Sequence, residues 1–249
     1  MSKEILDSHR EIWERKKVTR HLYTRWYKDI GSELSGLTPV VELGAGTGNF
    51  KEFMPSAIST DLVYCEWLDC VHDAMELPYR DSSVGGFVLI DAIHHVKAPA
   101  AAISEIVRCL KPGGRAVILD VFISPFSYLY YNFLHKEDVD LSADVFEAPK
   151  AGSSKAPFDS NQAIATLLFF RRMKEFQSRF PALKVLRKEV REFLLYPLSG
   201  GFEGVQLVPY STVKLFEAID RVAVRLLGGL VAARCLVVLE KTTGGKKRR

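Results

Sequence analysis

A short apolar run that leads into three closely spaced glycines constrains this chain more than any other feature. Residues 39–43 read as a buried strand, and Gly44, Gly46 and Gly48 follow them directly. Glycine permits a tight turn and lets a ligand approach the backbone where a side chain would clash. The N-terminus of a following helix would add free amide groups and positive potential. The pattern therefore predicts a strand, a glycine-rich turn and a helix that together bind a ligand.

Strand and helix patterns alternate along the first half of the chain. Apolar runs predict further strands at 57–61, 86–91 and 115–120. A helix is predicted over 98–110, where apolar residues recur on one face before a Lys-Pro-Gly-Gly segment. Such alternation is typical of a parallel sheet covered by helices on both faces. We therefore predict a Rossmann-like, doubly wound α/β fold.

The flanking segments are predicted to complete a single domain of 249 residues. Further predicted elements are a helix within 3–36, a helix at 161–180, a strand at 183–190, a helix at 213–230 and a strand at 232–240. We divide the chain into an N-terminal helical lid (1–36), a cofactor-binding core (37–121), a helical substrate insert (122–182), C-terminal strands and a helix (183–243), and a flexible basic tail (244–249).

Composition and charge argue against several classes of protein. Charged residues precede any apolar run at the N-terminus, and Arg234 interrupts the most apolar stretch, so neither a secretory signal nor a spanning helix is predicted. The four cysteines form no Cys-x-x-Cys pair, so no metal site is predicted. The net charge of +4 is mild, and we expect a cytoplasmic protein without a nucleic-acid partner.

The glycine turn also carries a family resemblance. A dinucleotide-binding turn would need glycine at position 49, where this chain has Asn49. The arrangement of Glu42 ahead of the three glycines instead resembles the cofactor loop of class I S-adenosylmethionine-dependent methyltransferases. Further blocks follow in that family's order: Asp61 after the second strand, Asp73-Ala-Met-Glu-Leu-Pro-Tyr79, Ile90-Asp91-Ala-Ile-His94-His95, and Leu110-Lys-Pro-Gly-Gly114. Together these blocks lie within residues 38–121.

The resemblance implies the cofactor and its site. In the family the loop wraps the methionine part of S-adenosylmethionine, and the acidic residue at the start lies near its amino group. The second-strand acid accepts hydrogen bonds from the ribose, and the first Asp of the Asp-Ala block approaches the adenine amino group. The implied cofactor-binding residues are Glu42, Gly44, Ala45, Gly46, Gly48, Asp61, Asp73, Ala74 and Asp91. The resemblance also implies S-adenosylhomocysteine as product, and a seven-stranded sheet whose last strand is antiparallel.

Histidines are the candidates for a general base. His95 follows the predicted fourth strand, and His135 follows the aromatic insert, where a neutral imidazole could accept a substrate proton. Its neighbour His94 is interpreted as structural. The fourth strand lacks the Asn/Asp-Pro-Pro-Tyr motif of amine methyltransferases acting on bases or Gln side chains, and no Pro-Cys nucleophile marks a cytosine enzyme.

Aromatic residues predict the class of acceptor. Residues 121–134 carry three Phe and three Tyr, which either cover an apolar substrate or pack a helix onto the sheet. We favour a small, apolar or lipid-like acceptor, as in the ubiquinone and menaquinone branch of the family. An RNA or protein methyltransferase, or a non-catalytic binder of the cofactor, remains an alternative. The helix at 213–230 either covers the sheet or, with the basic tail, contacts an anionic membrane.

Overall fold

Seven strands form one sheet at the centre of the structure, a computed structural model that describes residues 3–134, 138–147 and 160–243. The strands are β1 (Val40–Leu43), β2 (Ile58–Asp61), β3 (Cys70–Val71), β4 (Val84–Ile90), β5 (Leu110–Val121), β6 (Leu183–Arg191) and β7 (Arg234–Lys241). Their order across the sheet is β3-β2-β1-β4-β5-β7-β6. The first five strands pair in parallel, and β7 runs antiparallel to both β5 and β6. The predicted sheet with its antiparallel last strand is confirmed.

Helices cover both faces of this sheet, as predicted. They are α1 (Lys3–Arg15), α2 (Lys17–Glu33), α3 (Pro99–Cys109), α4 (Pro125–Leu134), α5 (Ile164–Thr166), α6 (Met173–Arg179), α7 (Leu195–Ser199) and α8 (Val213–Val231). Short 3-10 turns span Asn49–Glu52, Ile93–His95 and Tyr210–Thr212, and a π-helical turn spans Leu167–Arg171. No helix in the described ranges is long and apolar enough to cross a membrane.

The apolar core is split between the two faces of the sheet, because successive side chains of a strand point in opposite directions. In β5, Val117 and Leu119 join the cluster that α2 covers, with Trp26 and Ile30. The alternate β5 residues join the opposite cluster, which includes Ile103 of α3. The sheet therefore holds helices on both sides through two separate apolar layers.

Several predicted helices differ in the structure. Only a 3-10 turn follows the glycine turn, because Pro55 disfavours a helical backbone at the residue before it and leaves no room for a longer helix. The helical pattern in 3–36 becomes two helices, since Lys16 has an extended backbone. The helix predicted at 161–180 is divided by the π-helical turn and by Arg172, whose backbone leaves the helical region. Strand β3 and helix α7 were not predicted, because they are too short to give a periodic pattern. Strand β3 has two residues and helix α7 has five.

Close backbone contact at the start of β4 gives a test of the fold. A Cβ added at Gly85 would lie 2.5 Å from the Thr38 backbone nitrogen. We expect Gly85→Ala to lower the free energy of unfolding by about 1–3 kcal/mol, because the backbone must move to admit the methyl group. Gly229→Ala in α8 is the matched control, since an added Cβ there meets no atom within 4 Å. Alanine stabilises a helix more than glycine does, so the control should be neutral or stabilising in urea unfolding. Equal loss of stability in both variants would contradict the packing argument.

Candidate functional site

A cavity of about 460 Å³ opens at the carboxyl ends of the parallel strands. It is lined by residues that end β1, β2 and β4, among them Glu42, Asp61 and Asp91. Strand β1 lies between β2 and β4, so the chain leaves β1 on one side and later returns on the other. Ligands of open parallel sheets bind in the crevice that such a change of direction creates. The cavity is therefore the candidate functional site.

The glycine turn lines this cavity, and its backbone adopts conformations that favour glycine. Gly44, Gly46 and Gly48 have φ angles of 71°, 49° and 71°, in the left-handed region that favours glycine. A Cβ at Gly44 would lie 2.7 Å from the Ala92 side chain, so this position also needs glycine for space. The Trp67 indole donates a hydrogen bond to the Gly46 carbonyl oxygen at 2.9 Å. The turn is thus held in a conformation that leaves its backbone open to a ligand.

The cavity brings together most of the predicted cofactor residues. Its lining includes Glu42, Gly44, Ala45, Gly46, Asp61, Asp73, Ala74 and Asp91. Gly48 is not among the lining residues; a Cβ added there would instead meet Trp67 at 3.1 Å. Gly48 therefore serves the turn rather than the cavity wall.

Asp61 links the end of β2 to the glycine turn. One carboxylate oxygen accepts the Gly46 amide at 2.9 Å, and the other accepts the Val63 amide at 3.0 Å. Asp73 caps its own turn, since its carboxylate accepts the Met75 amide at 2.8 Å. A carboxylate has about four lone-pair positions, so each acid retains acceptor capacity toward the cavity. Both acids combine a local capping role with the ability to accept hydrogen bonds from hydroxyl or amine groups of a ligand.

Glu42 is a buried carboxyl group whose charge lacks a described partner. Its side chain is 3% exposed, and its Oε2 atom has no hydrogen-bond partner among the described residues. Burial, reinforced by the negative charge of Asp61, raises the pKa of Glu42 to about 8. A buried carboxyl in this state is stabilised either by a proton or by a cation brought next to it. An ammonium group, such as that of the methionine part of S-adenosylmethionine, fits this position.

A second polar group lies on the other side of the cavity and was not predicted as a unit. The Tyr23 hydroxyl donates to one Asp91 oxygen at 2.6 Å, and the Arg234 guanidinium pairs with the other. Arg234 is 1% exposed and lies over the rings of Trp26 and Tyr196. Asp91 therefore binds side chains from α2 and β7. In the sequence, Arg234 is a single arginine inside an otherwise apolar stretch, which marks it as a candidate. The sequence pattern does not show that its partner is Asp91.

The paired histidines have separate environments. His94 Nδ1 lies 2.7 Å from a carboxylate oxygen of the fully buried Asp120, which supports the structural interpretation. His95 lines the cavity, and its Nδ1 has no hydrogen-bond partner among the described residues. Burial, with the neighbouring His94, lowers the pKa of His95 to about 3. His95 is therefore a neutral imidazole in the cavity, whereas His135 lies outside the described residues.

Aromatic side chains surround the part of the cavity beyond these polar groups. Helix α2 contributes Tyr23 and Tyr27, and α4 contributes Tyr130 and Tyr131. The segment after α7 adds Phe202. The predicted N-terminal lid and the aromatic insert thus face the same cavity, although their opening and closing stays a prediction. No group of His, Cys, Asp or Glu in the described part of the chain could hold a metal ion.

Comparison with known proteins gives matches centred on the same blocks. Residues 41–118 match the family described as "Methyltransferase domain". A 56-residue segment is 41% identical to the ubiquinone/menaquinone biosynthesis C-methyltransferase of Ruegeria sp. (strain TM1040), covering 22% of each protein. A 108-residue segment is 32% identical to the demethylmenaquinone methyltransferase of Paenarthrobacter aurescens (strain TC1), covering 37% of this chain and 42% of that protein. The matches thus span less than half of either relative.

The fold extends well beyond the matched segment. The crystal structure of a SAM-dependent methyltransferase from Archaeoglobus fulgidus superposes with a TM-score of 0.56 at 14% identity. That likeness covers 92% of this chain and 98% of the other. At this identity the comparison concerns the fold alone, and it covers far more of the chain than residues 41–118.

Glu42 offers a test of the site's electrostatics without any ligand. Because the pKa of Glu42 is raised on folding, its contribution to the free energy of unfolding is fully present below the ordinary pKa of 4.5. That contribution is lost as the pH rises through about 8. We therefore expect Glu42→Gln to be increasingly more stable than wild type between pH 5 and pH 8. Thermal unfolding across that range measures the difference, with Glu76→Gln as an exposed control. A difference between Glu42→Gln and wild type that does not change with pH would contradict the assignment.

Proposed function

We propose that this chain, which belongs to the class I S-adenosylmethionine-dependent methyltransferases, methylates a small and largely apolar acceptor. The observation that carries the proposal is the division of one cavity into two parts. One part has the glycine turn with Glu42, Asp61 and Asp73, and the other has aromatic walls.

The cofactor part fits each portion of S-adenosylmethionine. Glu42 would hold the ammonium group, the Gly44–Gly46 backbone the methionine portion, Asp61 the ribose and Asp73 the adenine. When bound, the cofactor supplies a methyl group on a positively charged sulfur that is open to in-line displacement. The protein's task is then to hold an acceptor atom in line with that methyl group and to keep water away.

The size and charge of the cavity favour a small acceptor over a macromolecule. Cofactor and acceptor must share about 460 Å³, which is in the range of small-molecule sites. Of the described residues that line it, the lysines and arginines are Lys97 and Arg234, and Asp91 neutralises the latter. An RNA-binding groove needs several unpaired basic side chains along its length. The described lining therefore gives the RNA or protein alternative little support.

Polar groups in the aromatic part suggest how an acceptor is oriented. Burial raises the pKa of Tyr23, so its hydroxyl stays protonated, and it already donates to Asp91. Neutral His95 can accept a hydrogen bond from a hydroxyl or amine of the acceptor. Because its pKa is low, we assign His95 the role of positioning the nucleophile rather than removing a proton in advance. His135 stays a prediction.

One relative is named for ubiquinone and menaquinone biosynthesis and another for methylation of demethylmenaquinone, and these names favour a ring-containing acceptor with an apolar tail. The aromatic walls suit such a molecule, because aromatic side chains provide large apolar contact area with few rotatable bonds. We therefore place hydroquinones, phenols and prenylated rings first among acceptors to be tested.

Cofactor binding tests the first part of this proposal. We expect Asp61→Ala to weaken binding of S-adenosylhomocysteine by about 1–3 kcal/mol, since hydrogen bonds to a carboxylate are lost. Titration calorimetry measures the change. Asp144→Ala is the control, because Asp144 also caps a backbone amide, that of Phe146, but lies outside the cavity lining. Unchanged affinity in a folded Asp61→Ala protein would show that Asp61 is only a cap.

Methyl transfer tests the second part. With S-adenosylmethionine labelled in the methyl group, we expect label in the organic phase when hydroquinones or prenylated phenols are supplied. RNA and protein fractions, recovered by acid precipitation, should stay unlabelled. Gly46→Arg should remove the activity because it fills the glycine turn, whereas Gln177→Arg adds the same side chain on the exposed surface of α6. Label confined to acid-insoluble material would favour the RNA or protein alternative.

A further inference from the structure

Helix α8 presents an apolar surface to solvent. It packs along β6, the edge strand of the sheet, and also contacts α4 and α7. Its outward side, which we call the α8 face, carries the exposed residues Leu215, Ile219, Val222, Leu226, Leu227 and Leu230. Leu226 is 73% exposed, whereas a helix that merely covered the sheet would bury such a side chain.

The orientation of α8 is set by its two acidic residues. Asp220 is buried and its carboxylate accepts the backbone amides of Phe193, Leu194 and Leu195. Glu217 pairs with Arg25 of α2 and also contacts His21. Because both acids bind the body of the protein, the opposite side of the helix faces outward. The exposure of the apolar side chains therefore follows from specific inward contacts.

The exposed charges of α8 are all positive. Lys214, Arg221 and Arg225 are exposed beside the apolar residues. None of them forms an ion pair with a residue in 3–134, 138–147 or 160–243. Apolar residues flanked by lysine and arginine are typical of helices that lie in the interface of an anionic membrane.

Helix α4 connects this surface to the cavity. Its outward side carries Tyr128, Leu129 and Phe133, of which Phe133 is 78% exposed. On its inward side, Tyr130 and Tyr131 line the cavity. The α8 face and the exposed side of α4 belong to two helices that contact each other, and α4 also lines the cavity.

We propose that the α8 face and the exposed side of α4 rest on an anionic lipid bilayer. A second copy of the chain is the competing partner, but a symmetric contact would bring identical patches together, each with Lys214, Arg221 and Arg225. Anionic headgroups instead complement these charges while the apolar residues enter the interface. If the proposed function also holds, an apolar acceptor could pass from the bilayer to the cavity beside α4; membrane binding itself does not depend on that function.

Vesicle sedimentation of the full chain tests the proposal. We expect binding to vesicles of phosphatidylcholine with phosphatidylglycerol, little binding to phosphatidylcholine alone, and weaker binding at high salt. Arg221→Gln with Arg225→Gln should reduce partitioning about tenfold or more, because each basic residue near an anionic surface contributes about fivefold. Leu226→Glu should reduce partitioning more than the double arginine variant does, because it places a negative charge in the apolar surface.

Tyr64→Glu is the matched control for Leu226→Glu. Tyr64 is 70% exposed and follows β2, near the opposite edge of the sheet from α8. It should leave vesicle binding unchanged, and light scattering with thermal unfolding should show that all variants are folded and of the wild-type mass. Absence of binding to anionic vesicles, or equal loss in Tyr64→Glu and Leu226→Glu, would overturn the proposal. A wild-type dimer that Leu226→Glu dissociates, without vesicle binding, would assign the surface to self-association.

Discussion

Two hydrogen bonds between the glycine turn and the end of β2 determine the shape of the site. The Ala45 amide donates to the Thr60 carbonyl at 2.9 Å, and the next amide, that of Gly46, donates to the Asp61 carboxylate. They hold the turn against the neighbouring strand. The cavity, the exposure of the loop backbone and the inward direction of Asp61 all depend on this attachment.

The polar residues of the cavity differ in how their charge is compensated. Asp91 is compensated by Arg234 and Tyr23, and Asp120 lies against His94. Glu42 lacks such a partner among the described residues, so its pKa is raised. Since a buried carboxylate without a partner is costly, Glu42 is where a cationic ligand would be most strongly favoured over water. The other pairs provide a rigid polar frame around it.

Helices α8 and α4 carry exposed apolar side chains on the surface of the protein. On α8, the buried Asp220 binds backbone amides and Glu217 binds an arginine, whereas apolar and basic side chains are exposed. The same helix α4 that forms part of the cavity wall borders that surface. The cavity and the surface that we propose for lipid are thus linked through α4.

The sequence by itself determined the features that depend on neighbouring residues. Glycine spacing behind Glu42, acids at strand ends and turns with Pro and Gly predicted the parallel core and most of the cofactor side of the cavity, because backbone geometry in a strand–turn unit is a local property. The helix expected after the turn was wrong, because only a 3-10 turn precedes Pro55.

Tertiary structure decided which distant side chains meet. Arg234 and Tyr23 both reach Asp91 only because β7 inserts between β5 and β6 and α2 covers that face. His94 and His95 are adjacent in sequence, yet Asp120 on the neighbouring strand contacts His94 and gives the two histidines different environments. The exposure of α8 likewise depends on where its acids find partners. These contacts join residues far apart in the chain, so no local pattern specifies them until the order of the strands is known.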